Sequence, residues 1–193
     1  IQKAPMKYGR LTLGLYNSYD PVKFHEAHRR ALARAGPIAL AFDCNLTTFG
    51  FPFDPALKTP LEVARWLSTT TTIGQQGQYL FQLAQTGRFS NFSYVDRGFP
   101  PQLGTIIITT CHPKPRKAVD AAFVAQLLRQ RQSVCLIFGL GKKGLPRKIF
   151  ELGNYHLDIT AGQGLSLETC TALGAVPSRI MTYLEVGSQL VGL

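Results

Sequence analysis

At 193 residues with 45% hydrophobic content, the chain has the size of one domain, residues 1–193, and can bury a core unaided. It holds no apolar run of the ~18 residues that a membrane helix needs, and its N-terminus lacks the apolar core of a signal peptide, so a cytoplasmic protein without membrane contact is expected. The net charge of +10 is regional: residues 1–36 carry seven lysines and arginines against two acids, and residues 112–148 carry nine against Asp120. Two such basic blocks suit a polyanion such as RNA, because each cation that neutralises a phosphate releases condensed counterions.

Met6 is a candidate start, residues 1–5 being a tag remnant or an extension. LTLGLY (11–16) reads as a buried strand. Asp20 is expected to cap a helix over about 21–35, with Val22, Phe24, Ala27, Ala31, Leu32 and Ala35 at helical spacing and Gly36-Pro37 as its stop. Residues 37–50 hold a second strand. Thr59 to Glu62 forms the S/T-x-x-E signal of a helix start, and the helix continues through Leu67. The polar stretch 68–78 reads as an exposed loop, followed by helix from Tyr79 to Ala84. NFSYVD (91–96) resembles a strand. TIIITT (105–110) is β-branched enough for a strand buried on both faces, and a helix is expected over about 117–130. Strand and helix alternate throughout, which predicts an α/β fold on a mostly parallel sheet flanked by helices, with its ligand at the carboxyl ends of the strands.

The chemistry concentrates in residues 133–179. SVCLIF (133–138) runs into Phe138-Gly139-Leu140-Gly141-Lys142-Lys143-Gly144, a literal GxGxxG, with Asp158 near the spacing of a ribose-binding acid. The context is poor for a dinucleotide fold: about 50 residues remain, and the following helix, Leu145 to Leu152, is short. No phosphate-binding Gly-Lys-[Ser/Thr] occurs, which excludes a P-loop nucleotidase. A second glycine loop, Ile159-Thr160-Ala161-Gly162-Gln163-Gly164-Leu165-Ser166-Leu167-Glu168, ends in a serine expected to cap a helix over 167–176. Two such loops on neighbouring strands make a pocket with main-chain walls, suited to an adenine and a ribose. The four cysteines, Cys44, Cys111, Cys135 and Cys170, form no CxxC pair and read as structural thiols. His25 and His28 lack the HExxH spacing and read as surface residues, while His112 and His156 flank the expected pocket.

The two loops together resemble the SPOUT superfamily of knotted RNA methyltransferases that use S-adenosylmethionine. Phe138-Gly139 with Gly144-Leu145-Pro146 is similar to the family's second motif, and Ile159 with Gly162 and Ser166-Leu167 to its third. Asn17 with the run Glu26-Ala27-His28-Arg29-Arg30-Ala31 is similar to the first, which places Arg30, or failing that Arg29, at the catalytic arginine. The resemblance implies a SPOUT-like fold with a C-terminal trefoil knot, a homodimer, and tRNA or rRNA as substrate. It implies cofactor contacts from Thr109 and Thr110, from Phe138, Gly139, Leu140, Gly141, Gly144 and Leu145, and from Ile159, Gly164, Leu165, Ser166 and Leu167. Glu168 is a candidate general base, or a helix-terminal charge. The sequence departs from the SpoU branch where Gly141 replaces a glutamate and Glu168 an asparagine. Two other readings stay open: a non-catalytic knotted RNA- or nucleotide-binding protein, and an oxidoreductase using the GxGxxG.

Overall fold

The computed structural model describes residues 8–69 and 75–191, with side chains as far as 187. The candidate start at Met6 and the centre of the polar stretch 68–78 lie outside the described residues. Seven parallel strands build one sheet: β1 (Leu11–Asn17), β2 (Asn45–Phe49), β3 (Phe89–Phe92), β4 (Thr105–Thr109), β5 (Ala118–Val119), β6 (Val134–Leu140) and β7 (Tyr155–Leu157), in the order β3-β2-β1-β6-β4-β7-β5. The helices are α1 (Glu26–Ala41), α2 (Pro60–Ser68), α3 (Gln76–Gln85), α4 (Ala121–Arg129), α5 (Arg147–Leu152) and α6 (Thr169–Val191).

Alternation along the strands divides the core in two. Leu11, Leu13 and Leu15 of β1, with Leu136, Phe138 and Leu140 of β6, join α1, α2, α3, α4 and α6 on one face. Tyr16, Ile106, Ile108, Cys135 and Ile137 face the other side, where Ile149 of α5 and Leu103 cover them. Both faces being covered, β4 and β6 carry near-continuous apolar runs, while β1 sets Thr12 and Gly14 between its leucines. The chain steps outward from β1 to β3 and then restarts at β4 on the far side, with β6 inserted between β1 and β4. The carboxyl edge near this reversal is where an open α/β sheet leaves a crevice.

Several expected boundaries require correction. Helix α1 starts five residues later than about 21, because Asp20 accepts from Val22 N and Lys23 N and closes a turn of its own, at 2.8 and 3.0 Å. The cap is instead His25, paired reciprocally with His28. Nor does Gly36-Pro37 stop it. A Cβ on Gly36 would stand 3.1 Å from Leu80 N, so α1 and α3 meet at backbone distance, and this packing outweighs the ~1 and ~3 kcal/mol that glycine and proline cost a helix. Helix α6 likewise runs through the buried Pro177, carried by Leu173, Val176, Ile180 and Leu184 on one stripe. It starts at Thr169, so Ser166 is not its cap.

The expected helix over 117–130 begins only at Ala121, where the Asp120 carboxylate accepts from Phe123 N at 2.8 Å; Ala118–Val119 pairs with β7 instead. Strand β3 precedes the expected 91–96, because Phe89 rather than Tyr94 aligns with the buried Leu46. The capping box at Thr59 and Glu62 is present, with Glu62 N donating to Thr59 Oγ1 at 3.2 Å and Thr59 N to Glu62 Oε2 at 2.8 Å.

Candidate functional site

A cleft of about 920 Å³ opens at the carboxyl ends of β4, β6 and β7. The loop after β6 forms one wall. Its Gly141 sits at φ +130°, a conformation reserved for glycine, and a Cβ there would come within 2.9 Å of Ser18 O. Ser18 binds the same loop directly, its N and Oγ both donating to Leu140 O at 3.1 and 2.8 Å. The loop after β7 forms the facing wall. Asp158 organises it, Oδ1 accepting from Thr160 N and Thr160 Oγ1 at 2.8 and 2.6 Å and Oδ2 from Gly162 N at 2.8 Å. Burial pushes the Asp158 carboxyl up, but the Thr160 hydroxyl and the Gly162 and Thr160 amides outweigh it and hold the pKa low.

Asp158 is therefore a loop-shaping residue, its carboxylate already engaged. We expect Asp158→Ala to raise hydrogen exchange at the Thr160 and Gly162 amides by tenfold or more, since each bond to a charged acceptor is worth about 1.5–3 kcal/mol. Unchanged exchange would show that the loop holds its shape without this carboxylate.

The structure brings most of the sequence-named residues to one place. Thr109, Thr110, Phe138, Gly139, Leu140, Gly141, Gly144 and Leu145 line the cleft, as do Ile159, Leu165, Ser166, Leu167 and Glu168. Gly164, at φ +66°, shapes the loop without lining the cleft. Glu168 is also the cap of α6: Oε2 accepts from Cys170 N at 2.9 Å and Thr171 N at 3.2 Å, and its carbonyl from Ala172 N at 2.9 Å. Thr169 Oγ1 ties this end to Gly139 O at 2.8 Å.

Arg30 stands outside the cleft lining, exposed, with Nε 3.4 Å from Glu26 Oε1. It lies on the α1 stripe of Ala27, Arg30 and Arg34, whose first member lines the cleft and whose last borders Cys170. Arg29 pairs with the same carboxylate, Nε 3.2 Å from Glu26 Oε2, but its guanidinium lies over the rings of Phe24 and Trp66 at 5.5 and 5.3 Å, and its Nη1 is buried without a hydrogen-bond partner among the described residues.

Two histidine expectations are corrected. His28 is fully buried rather than a surface residue. Its Nδ1 accepts from His25 N at 3.0 Å and its Nε2 donates to Asn17 Oδ1 at 3.0 Å, so the neutral ring is satisfied on both sides. Burial, with the nearby His25, pushes its pKa down to about 4. His156 is also fully buried and does not line the cleft: Nδ1 accepts from Lys114 N and Nε2 donates to Phe150 O, each at 3.1 Å, and burial lowers its pKa. His112 lines the cleft and is exposed. Among the described residues no group of three or more histidines, cysteines and acids could hold a metal ion. The described cysteines are all free.

Sequence reasoning missed Tyr19, which lines the cleft and meets the rings of His25 and His28 at 5.3 and 5.8 Å. Its only sequence signal was its place in the loop after β1. Lys142 and Lys143, counted in the second basic block, both line the cleft, and among the described residues neither side chain has a partner. Much of the second basic block is spent internally: Lys114 pairs with Glu151, Lys148 with Asp96, Lys117 donates to the Glu151 and Gly153 carbonyls, and Arg129 to that of Tyr183. The GxGxxG opens a six-residue helix after the sixth strand, without the crossover of a dinucleotide-binding unit.

The chain is similar to known proteins in sequence and in fold. An uncharacterized protein, MJ0224 of Methanocaldococcus jannaschii, is 44% identical over 179 residues, covering 93% of this chain and 98% of the relative. In structure the chain is similar to the SpoU methyltransferase AviRb of Streptomyces viridochromogenes, at TM-score 0.60 and 15% identity over 95% of this chain and 63% of that one; AviRb has also been solved with AdoMet. It is similar as well to a protein solved in a study of 2-OH methylation of C/U34 on tRNA, at TM-score 0.54 and 16% identity, over 93% and 98% of the two chains. At such identities the likeness establishes the fold, which is that of the SPOUT methyltransferases. The family model described as "Protein of unknown function (DUF531)" matches residues 11–181, and the chain belongs to that family.

Proposed function

We propose that the protein is an S-adenosylmethionine-dependent methyltransferase acting on tRNA or rRNA. The observation that carries this reading is the convergence of two glycine-shaped loops, after β6 and β7, on one cleft at the reversal of the sheet. The cleft fits the cofactor. Gly139 and Gly141 expose main chain for an adenosine, Phe138, Leu140, Leu145 and Ile159 supply apolar walls, and Thr109 and Ser166 supply hydroxyls. When bound, the cofactor supplies a methyl group already activated by its sulfonium, so the protein's task is to orient an RNA nucleophile and accept a proton.

In this reading Arg30 swings from Glu26 to a phosphate at the cleft rim, Lys142 and Lys143 neutralise the adjoining backbone, and Glu168 is the proton acceptor. Exposed Leu165 and Leu167 at the cleft mouth, with exposed Tyr183 and Val186 on α6, support a homodimer that completes the site. The trefoil knot belongs to the same proposal, as does a cytoplasmic setting; no described helix is long and apolar enough to cross a membrane.

One observation favours a second reading, a non-catalytic RNA- or nucleotide-binding protein: the Glu168 carboxylate is engaged by two amides of α6. Transfer of a labelled methyl group to tRNA and rRNA from cells lacking the gene separates the two. Label in RNA, lost in Arg30→Ala, is expected. Cofactor binding without any label would favour the second reading.

A further inference from the structure

The carboxyl edge of the sheet carries a second recess, a shallow pocket of about 390 Å³ beyond β2 and β3, walled by Phe51, Phe53, Phe92 and Tyr94 with Asn91 and Ser93 at its rim. Its aromatic walls are fixed by their own packing. Gly50 lies at φ +67°, and a Cβ there would fall 2.4 Å from the Tyr94 ring, so that ring rests on bare backbone. The Tyr94 hydroxyl donates to Asn17 O at 2.9 Å, and with this end seated the side chain is still 42% exposed. Phe53 is held between the rings of Phe24 and Phe51, at 5.6 and 5.7 Å.

The polar groups at the rim are free to bind. Asn91 Oδ1 accepts from Thr48 Oγ1 at 2.8 Å, which leaves its amide hydrogens unbonded among the described residues, and the Ser93 hydroxyl has no partner there either. Pre-seated rings beside spare amide donors and a hydroxyl match a nucleobase, which stacks through its face and hydrogen-bonds through its edge. An aliphatic ligand would make no use of those polar groups.

Position says which nucleobase. Tyr16 aligns with Phe49 of β2 on one side and with Gly139 of β6 on the other, so the β2 side of the pocket lies two strand spacings, roughly 10 Å, from the glycine loop, and the β3 side three. A single loop after β1 separates them: its Tyr19 lines the cleft, its Pro21 lines the pocket, and Asn17 Nδ2 donates to Gly50 O at 2.9 Å. We propose that this pocket receives an unpaired nucleobase of the RNA, adjacent to the nucleotide presented to the cleft. The proposal rests on the methyltransferase reading for its substrate.

The test uses a short single-stranded oligoribonucleotide carrying 2-aminopurine, whose fluorescence is quenched on stacking. Two variants probe the pocket: Ser93→Glu, which sets a carboxylate at an exposed position whose side chain makes no bond, and Phe53→Leu, which removes a ring without adding charge. Wild type is expected to bind and quench the probe. Each variant is expected to weaken binding about tenfold, the effect of losing one stacked base, with S-adenosylmethionine affinity unchanged. Unchanged RNA affinity and quenching in both variants, beside normal cofactor binding, would overturn the pocket alone. Pocket-dependent quenching in a protein that binds no cofactor would uphold the pocket and overturn the methyltransferase reading.

Discussion

Gly141→Ala is expected to lower affinity for S-adenosylmethionine by tenfold or more while leaving the protein folded. The backbone at φ +130° is strained for any residue with a Cβ, at about 1–3 kcal/mol, and the added atom would meet Ser18 O at 2.9 Å and Tyr19 Cα at 3.2 Å. Relief requires the loop after β6 to retreat from the loop after β1. Those two loops meet through Ser18, which binds Leu140 O twice, and both line the cleft. Gly144→Ala is the natural control. Gly144 also has positive φ, +66°, but nothing stands within 4 Å of its added Cβ, so it carries only the backbone cost of about 1 kcal/mol. Calorimetric titration of both variants measures the difference; equal affinity in wild type and Gly141→Ala would show that this wall does not hold the cofactor.

The second large effect is acid destabilisation through His28. A neutral ring fits because His25 N donates to Nδ1; a proton on Nδ1 would face that donor and be buried as well. The folded pKa, about 4, lies below the ordinary 6.5, so between these values the unfolded chain binds the proton and the folded chain does not. Stability is therefore full above pH ~6.5 and falls as pH drops toward 4, by about 2 kcal/mol at pH 5. His156, shifted in the same direction, adds to the loss. Asp20, held well below the usual carboxylate range by the Lys23 amide, the His25 ring and the Val22 amide, acts only in stronger acid. Urea unfolding at pH 7 and pH 5 reads the effect. His28→Gln is expected to flatten the pH dependence, leaving the His156 share, and an undiminished slope in that variant would assign the proton to another group.

How much of this was legible in the sequence follows from where the determining contacts lie. Strands β4 and β6 announced themselves because burial on both faces favours near-continuous apolar runs, β1 through its alternating leucines, and the two glycine loops because strand ends and glycines are adjacent in sequence. Local signals failed where a distant partner decides. Nothing near Gly36 reveals Leu80, whose backbone lets α1 continue, and nothing near Pro177 reveals the packing that carries α6 onward. His28 looked like a surface residue because the partner of its Nε2, Asn17, lies eleven positions away on β1. The second basic block seemed free for RNA because Glu151 and Asp96, which engage Lys114 and Lys148, come from other segments. Tyr19 was silent for the same reason: only the sheet order, with β6 beside β1, brings its loop against the glycines.

Calorimetric titration of the intact protein with S-adenosylmethionine, its demethylated product S-adenosylhomocysteine, and NAD tests the central claim, that the loops after β6 and β7 form the site of a methyl-donor cofactor. Micromolar binding of the first two at one site per chain, weakened by Gly141→Ala, with no heat from NAD, is the predicted result. Binding of NAD with neither of the other two, or methyl-donor binding indifferent to Gly141, would contradict it.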